Sequence, residues 1–396
     1  MDVFSFCDQV VKDYGQFSRS FTQVKASDIK IFLDGKYKDG QFWPSPLIQL
    51  NPSFVSGGSI SELVAQGLIH EECTSIFRWG KEDNKEGHEL ILHQHQREAI
   101  EIASRKESFV ITSGTGSGKS LGYIIPIVNK VLEAREAGDT EKRIRAIVIY
   151  PMNALCNSQL EELQKYLGLG YPDGPEVTFA RYTGQETPTE REKIKNDPPD
   201  ILLTNYVMLE YILTRQEPLD QKIINDARGL DFLVLDELHT YRGRQGADVA
   251  LLVRRIRQQL NNNLLCIGTS ATMATEGTAQ ERNEVVAKVS SKLFGTNIPP
   301  ENIITETLMR QTKGEIDNPM QLTTALNKDF SLTSTSHWES NDLQAHPLAV
   351  WVELNLGLER EDGLDDGKWV RCKPKTLKQA SAQLAETTQL PEELIL

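Results

Sequence analysis

Short apolar runs rich in β-branched residues recur along the middle of the chain: Phe109-Val110-Ile111, Ala146-Ile147-Val148-Ile149, Val177-Thr178-Phe179, Ile201-Leu202-Leu203, Phe232-Leu233-Val234-Leu235 and Leu264-Leu265-Cys266-Ile267. Each is apolar at consecutive positions, so the strand it forms is covered on both faces, the condition inside a parallel sheet flanked by helices. Between the runs lie helical stretches. Leu121–Ala134 is one, and in another Val249, Leu252, Val253, Ile256 and Leu260 share one face. Alternating strand and helix over this length predicts an α/β fold with a doubly wound, mostly parallel sheet.

Polar stretches bound this pattern. Lys81–His88 closes it on the N-terminal side, and residues 311–346, rich in Thr, Ser, Asn and Asp, read as a loop-rich linker. The expected division is a leader of unknown role over 1–89, the α/β domain over 90–295, and a segment over 296–396 that is loop-rich and then partly helical. The flanking aromatics Phe42, Trp43, Phe77, Trp338, Trp351 and Trp369 are expected in cores rather than as base-stacking platforms.

The 396 residues are 39% hydrophobic and 25% charged, the balance of a soluble globular chain. A net charge of −13 excludes a polybasic nucleic-acid coat. It leaves room for a nucleic-acid enzyme, because residues 90–280 are nearly balanced, with 22 basic against 25 acidic side chains. The five cysteines are scattered without a CxxC pair, so neither a disulfide framework nor a zinc ribbon is indicated. The N-terminal residues lack the basic and apolar regions of a signal peptide, and no run is long enough to cross a membrane. A cytoplasmic location with no membrane partner is the expectation.

Two motifs carry chemistry. The run Phe109–Thr112 leads into Ser113-Gly114-Thr115-Gly116-Ser117-Gly118-Lys119-Ser120 and then a helix. Such a loop turns consecutive backbone N–H groups toward phosphate oxygens at a helix N-terminus, with Lys119 reaching the β/γ-phosphates and the Ser120 hydroxyl on Mg²⁺. The pattern GxxxxGK[ST] asks for Gly at 113, where this chain has Ser. The second motif, Phe232–Leu235 followed by Asp236-Glu237-Leu238-His239, is an apolar strand ending in two carboxylates. Ligands of open α/β sheets sit beyond the carboxyl ends of the strands, so Asp236 is placed to hold Mg²⁺ and Glu237 to orient and deprotonate an attacking water.

Together these resemble the superfamily 2 DEAD/DEAH-box (DExH) helicases, in their first RecA-like lobe. Four further stretches match in the family's order. Leu92-His93-Gln94-His95-Gln96 is similar to the adenine-reading Q-motif, with Gln96 as reader. Tyr150-Pro151-Met152-Asn153-Ala154-Leu155 and Thr204-Asn205-Tyr206-Val207-Met208-Leu209 resemble the two strand-contacting motifs. Ser270-Ala271-Thr272 matches the motif that links hydrolysis to strand movement. Tyr241-Arg242-Gly243 further resembles bacterial Hrq/Mrf-type DNA-repair and phage-defence helicases.

The resemblance implies ATP and Mg²⁺ as ligands, and a nucleic-acid partner, DNA ahead of RNA. It implies strand contacts at Pro151, Asn153, Thr204 and Asn205, and coupling through His239, Ser270 and Thr272. Arg254, Arg255 and Arg257 are expected on a solvated helix face. Residues 281–396 contain no second strand–helix series and no arginine-finger motif. The expected function is therefore the ATP-binding lobe of a truncated or split helicase or translocase, with its second RecA-like lobe on another chain. The alternative is a nucleotide-dependent nucleic-acid-binding subunit that does not unwind.

Overall fold

The computed structural model describes residues 2–21, 24–81, 86–114, 116–169, 177–271, 277–316, 319–329, 340–361 and 367–391. The chain divides into two compact units, Phe54–Thr307 and a second made of Met1–Ser53 with Leu308–Leu396. These divisions differ from the boundaries expected at 89/90 and 295/296. Residues 54–89 belong with the larger unit because Ser56–Ser59 pairs antiparallel with Ile91–His93. Ile60, Leu63, Cys73, Ile76 and Phe77 enter the same core as the sheet.

The larger unit is built on seven strands: β1 Phe109–Thr112, β2 Ala146–Tyr150, β3 Phe179–Arg181, β4 Ile201–Asn205, β5 Phe232–Leu235, β6 Leu265–Ser270 and β7 Ile303–Thr305. They lie in the order β7-β1-β6-β5-β2-β4-β3, and every adjacent pair is parallel. The expected α/β sheet is present, with two local differences. The third strand begins at Phe179 rather than Val177, which is buried ahead of it. The edge strand β7 falls past the expected domain end, its run Ile303-Ile304-Thr305 being too short to register as a strand by pattern.

Alternation along the strands feeds two cores. Val110, Ile147, Ile149, Leu202, Leu233, Leu235 and Cys266 pack on one face. Phe109, Ile111, Ala146, Val148, Leu203, Val234 and Ile267 pack on the other. Helices cover both: α1 Gln94–Ser104, α2 Leu121–Glu136, α3 Asn153–Leu163, α4 Pro188–Asn196, α5 Tyr206–Thr214, α6 Pro218–Asp226, α7 Gly243–Gln259 and α8 Ala279–Phe294. The face of α7 read from the sequence is the buried one, through Val249, Leu252, Val253 and Ile256. Its arginines are engaged within the unit. Arg254 donates to Lys292 O and Arg257 to Phe294 O, which ties α7 to α8, while Arg255 pairs with Glu210.

The second unit has a small core of Leu322, Leu326, Trp351, Leu356, Ala380 and Leu384. The stretch read as a linker contains helices Pro319–Asp329 and Ser340–Ala345, so its polar composition hid helical segments. Trp338 lies outside the described residues. No helix among the described residues is long and apolar enough to cross a membrane.

Candidate nucleotide site and strand groove

Parallel pairing brings the loops after β1, β6 and β5 to one edge of the sheet, side by side. The loop after β1 is anchored where Ser113 N donates to Ser270 O at 3.2 Å, at the end of β6. Ser113 stands where the motif asks for Gly, and its hydroxyl bonds the buried Ser117 hydroxyl at 2.6 Å, a brace within the loop. Gly116 and Gly118 take φ of 78° and 70°, which a side chain resists. A Cβ at Gly118 would also lie 2.6 Å from Gln96 Nε2. Thr115 lies outside the described residues.

Behind the loop, Gln96 is buried with both ends of its carboxamide engaged. Its Nε2 donates to Gly118 O at 2.8 Å, and its Oε1 accepts from His93 N at 2.7 Å. Next to it, His95 Nε2 donates to Ser117 O at 2.9 Å while buried Nδ1 has no hydrogen-bond partner among the described residues. Burial pushes the His95 ring down to about 4, so it is neutral at ordinary pH. The sequence reading passed over this residue. Its signal is position, one residue before the Q-motif glutamine on the buried side of α1.

Lys119 Nζ donates to Ser113 O and Gly114 O at 3.0 Å each. Burial lowers its pKa, partly offset by Glu237, Asp236 and Glu306. Asp236 follows β5, fixed by its backbone N–H on Ile149 O at 2.9 Å. Burial raises its carboxyl to about 6; a hydrogen bond from Thr269 opposes this and the Glu237 charge adds to it. Glu237 sits at φ 53°, a left-handed conformation uncommon for a residue with a side chain, which turns the carboxylate out of the strand direction. Its N–H donates to Thr269 Oγ1 at 3.2 Å, and Thr269 Oγ1 in turn donates to Asp236. Thr269, whose hydroxyl accepts from the Glu237 backbone N–H and donates to the Asp236 carboxylate, was missed from the sequence because it lies inside β6 as an ordinary β-former.

Among the described residues Glu237 Oε2 has no hydrogen-bond partner, although His239 Nδ1 lies 3.2 Å away off the bonding axis. His239 Nδ1 is also 3.3 Å from Ser270 Oγ, so two of the three expected coupling residues meet here. Thr272 lies outside the described residues. Two half-buried carboxylates, a Glu237 oxygen with no hydrogen bond among the described residues, a lysine donating to loop carbonyls and a glycine cradle are the parts that Mg²⁺ and a polyphosphate fit. Among the described residues no group of three or more His, Cys, Asp or Glu could hold a metal alone. Mg²⁺ takes few protein ligands and completes its shell with water and phosphate, so the fit stands.

The residues expected to contact a strand lie beyond β2 and β4. Pro151, Asn153 and Asn205 line a groove of about 300 Å³ together with Met152, Thr183, Tyr206, Val207, Met208 and Tyr211. Asn205 Nδ2 donates to Asn153 Oδ1 at 2.7 Å, and Asn205 Oδ1 caps α5 by accepting from Met208 N at 2.7 Å. Thr204 is not brought into the groove. Its side chain is fully buried and its hydroxyl donates to Tyr182 O at 2.7 Å, as strand alternation requires of the residue before Asn205.

Residues 93–280 match the DEAD/DEAH box helicase family. Druantia protein DruE of Escherichia coli (strain UMEA 4076-1) is 26% identical, over 58% of this chain and 18% of DruE. The uncharacterized ATP-dependent helicase YprA of Bacillus subtilis (strain 168) is 30% identical, over 46% of this chain and 23% of YprA. Among solved structures, the helicase MrfA bound to DNA is 23% identical over 66% of this chain and 30% of MrfA, with a TM-score of 0.48. The chain spans about a fifth of the length of these curated relatives. Residues 93–280 are thus similar to DEAD/DEAH box helicase domains, and the seven-stranded parallel sheet is the α/β fold expected.

Proposed function

We propose that this chain is the ATP-hydrolysing lobe of a superfamily 2 helicase or translocase acting on single-stranded nucleic acid, DNA ahead of RNA. The observation that carries the reading is one sheet edge holding Lys119, Asp236, Glu237, His239 and Ser270 together, with a groove that contains Asn153 and Asn205 beyond the neighbouring strands. The order DNA before RNA rests on the resemblance of Tyr241-Arg242-Gly243 to DNA-repair and phage-defence helicases.

Mg²⁺·ATP supplies the phosphoanhydride bond and the charge that the site is shaped to neutralise. In this reading the amides of residues 113–118 and the Lys119 ammonium bind the phosphates, while Ser120 and Asp236 hold Mg²⁺. Gln96 supports the loop from behind through Gly118 O and reads adenine at its edge. Glu237, with one oxygen free of hydrogen bonds, orients water and takes its proton. His239 touches both Glu237 and Ser270, and with Thr272 carries the state of the nucleotide site into the lobe. Pro151, Asn153 and Asn205 hold the backbone of the strand without reading its bases.

Among the described residues neither Asp236 nor Glu237 is ion-paired to an arginine. We therefore include a second RecA-like lobe as partner, on another chain, supplying an arginine finger that contributes roughly 10³–10⁵ in turnover in related phosphoryl-transfer enzymes. The test is ATP turnover with and without single-stranded DNA. Slow turnover, stimulated by DNA and abolished by Lys119→Ala, supports the proposal. Robust unwinding by the chain alone overturns the split-lobe part. DNA binding that depends on nucleotide without any turnover favours the non-unwinding binding subunit instead.

A further inference from the structure

Strand β7 ends beside the phosphate loop. Its register pairs Thr305 with Thr112, the last residue of β1, so the next residue, Glu306, emerges level with Ser113. The backbone there is held on both sides. Thr112 Oγ1 donates to Ile304 O at 3.1 Å, and Thr307 O accepts from Val55 N at 2.9 Å. Glu306 Oε2 accepts the Gly114 N–H at 3.2 Å, and its charge acts on Lys119 and on His95. Nothing in the motif logic of the site asks for a third carboxylate. Asp236 has a metal to hold and Glu237 a water to orient, whereas Glu306 lies on the other side of the loop, against an amide that belongs to an anion-binding array.

We propose that Glu306 competes with nucleotide phosphate for the phosphate loop, its carboxylate taking the Gly114 amide and opposing the incoming charge, so that it weakens nucleotide binding and withdraws when nucleotide binds. This rests on the reading of residues 113–120 as the nucleotide site. A phosphate group and a carboxylate seek the same donors, and two anions at short range in a partly buried loop repel with little screening. Glu306 therefore acts as an internal competitor that sets the occupancy of the site.

The test is an equilibrium fluorescence titration of the full chain with Mg²⁺ and mant-ATP. It compares wild type, Glu306→Gln, Glu306→Ala and Lys119→Ala. Glu306→Gln removes the charge while keeping an acceptor for the Gly114 amide, so loop and fold are preserved. Both Glu306 variants are expected to bind about 3–10-fold more tightly, the scale of one partly screened charge. Hydrogen exchange of the segment 113–118 in Glu306→Ala, without nucleotide, is expected to be faster than in wild type. Unchanged or weaker nucleotide binding in both Glu306 variants overturns the proposal. Lys119→Ala serves as the separate arm: if it binds mant-ATP as wild type does, the phosphate-loop reading itself fails, whatever the Glu306 variants do.

Discussion

Beyond β1, β6, β5 and β7 the sheet edge gathers Lys119, Asp236, Glu237 and Glu306, with Asp236 buried deeply enough for its carboxyl to rise to about 6. Beyond β2 and β4 the same edge carries Pro151, Asn153 and Asn205 and no formal charge in the groove lining. One fold thus offers two chemistries on adjacent strands. Splitting a phosphoanhydride calls for fixed charges in a water-poor site, where they act strongly and need no reorganisation. In the proposed reading, holding a strand that must later slide calls for directional but modest contacts, which the neutral Asn153–Asn205 pair would provide. If the two halves are independent in this sense, changes on one side leave the other's binding intact.

The largest expected effect is on the charged side. Glu237→Gln keeps the size and the backbone contact to Thr269 but removes the base, so ATP turnover falls by about 10²–10⁴. Binding of mant-ATP and of a labelled single-stranded oligonucleotide should be preserved. Loss of oligonucleotide binding in this variant would break the separation between the halves. The next effect in size is on stability. His95 is fully buried and its ring is pushed from the ordinary 6.5 down to about 4. A depressed value in the folded state means that the unfolded chain takes up the proton first as pH falls. Stability from this group is complete above pH 6.5 and is lost as pH drops toward 4, by about 3 kcal/mol in all at roughly 1.4 kcal/mol per unit. Urea midpoints at pH 7.5, 5.5 and 4.5 should show that decline, and His95→Gln should flatten it. An equal slope in the variant removes His95 as its source.

What the sequence revealed follows the same division. The phosphate loop and the acidic pair were legible because phosphate binding and metal holding tolerate few residue types at fixed spacing next to strands. Thr269 was hidden because a threonine inside a strand is also the usual β-former, and only the pairing of β6 with β5 brings its hydroxyl to Asp236 and Glu237. Glu306 was hidden for a related reason: the three-residue strand before it is too short to be seen as a pattern, yet its pairing with β1 sets the carboxylate against Gly114. In the groove, the motif words were found but the side-chain directions were not. Alternation turns Thr204 inward to Tyr182 and leaves Asn205 at the surface, a distinction that depends on where the strand ends. The leader was split for the same kind of reason, since the pairing of Ser56–Ser59 with Ile91–His93 spans a polar stretch that looks like a boundary.

Thr269 offers a sharper probe of the charged half. Thr269→Val is close in shape and leaves the Glu237 N–H and the Asp236 carboxylate without their shared hydroxyl in a buried place. A cost of about 1–3 kcal/mol in urea unfolding is expected, the usual range for an orphaned buried polar group. Turnover should fall along with it while oligonucleotide binding holds. A variant as stable as wild type would show that the hydroxyl is dispensable and that the two carboxylates are organised by something else.

The smallest effect tests the neutral half. Asn205 does two jobs, capping α5 through Oδ1 and bonding Asn153 through Nδ2. Asn205→Ala would lose both, mixing a cap loss of about 1 kcal/mol with any change in binding. Asn205→Asp separates them. The carboxylate still accepts from Met208 N at the helix N-terminus, where negative charge is favoured, so folding should be unaffected or slightly improved. It can no longer donate to Asn153, and it places a negative charge in the groove proposed to hold a phosphate backbone. Affinity for a labelled single-stranded oligonucleotide should drop about tenfold in low salt, with mant-ATP binding unchanged. Because the new term is electrostatic repulsion, the difference from wild type should narrow as salt rises and screening shortens. A drop that persists equally at high salt would mean that the lost donor, and not the charge, is what the groove needs. The neutrality of this half would then be incidental to how it binds.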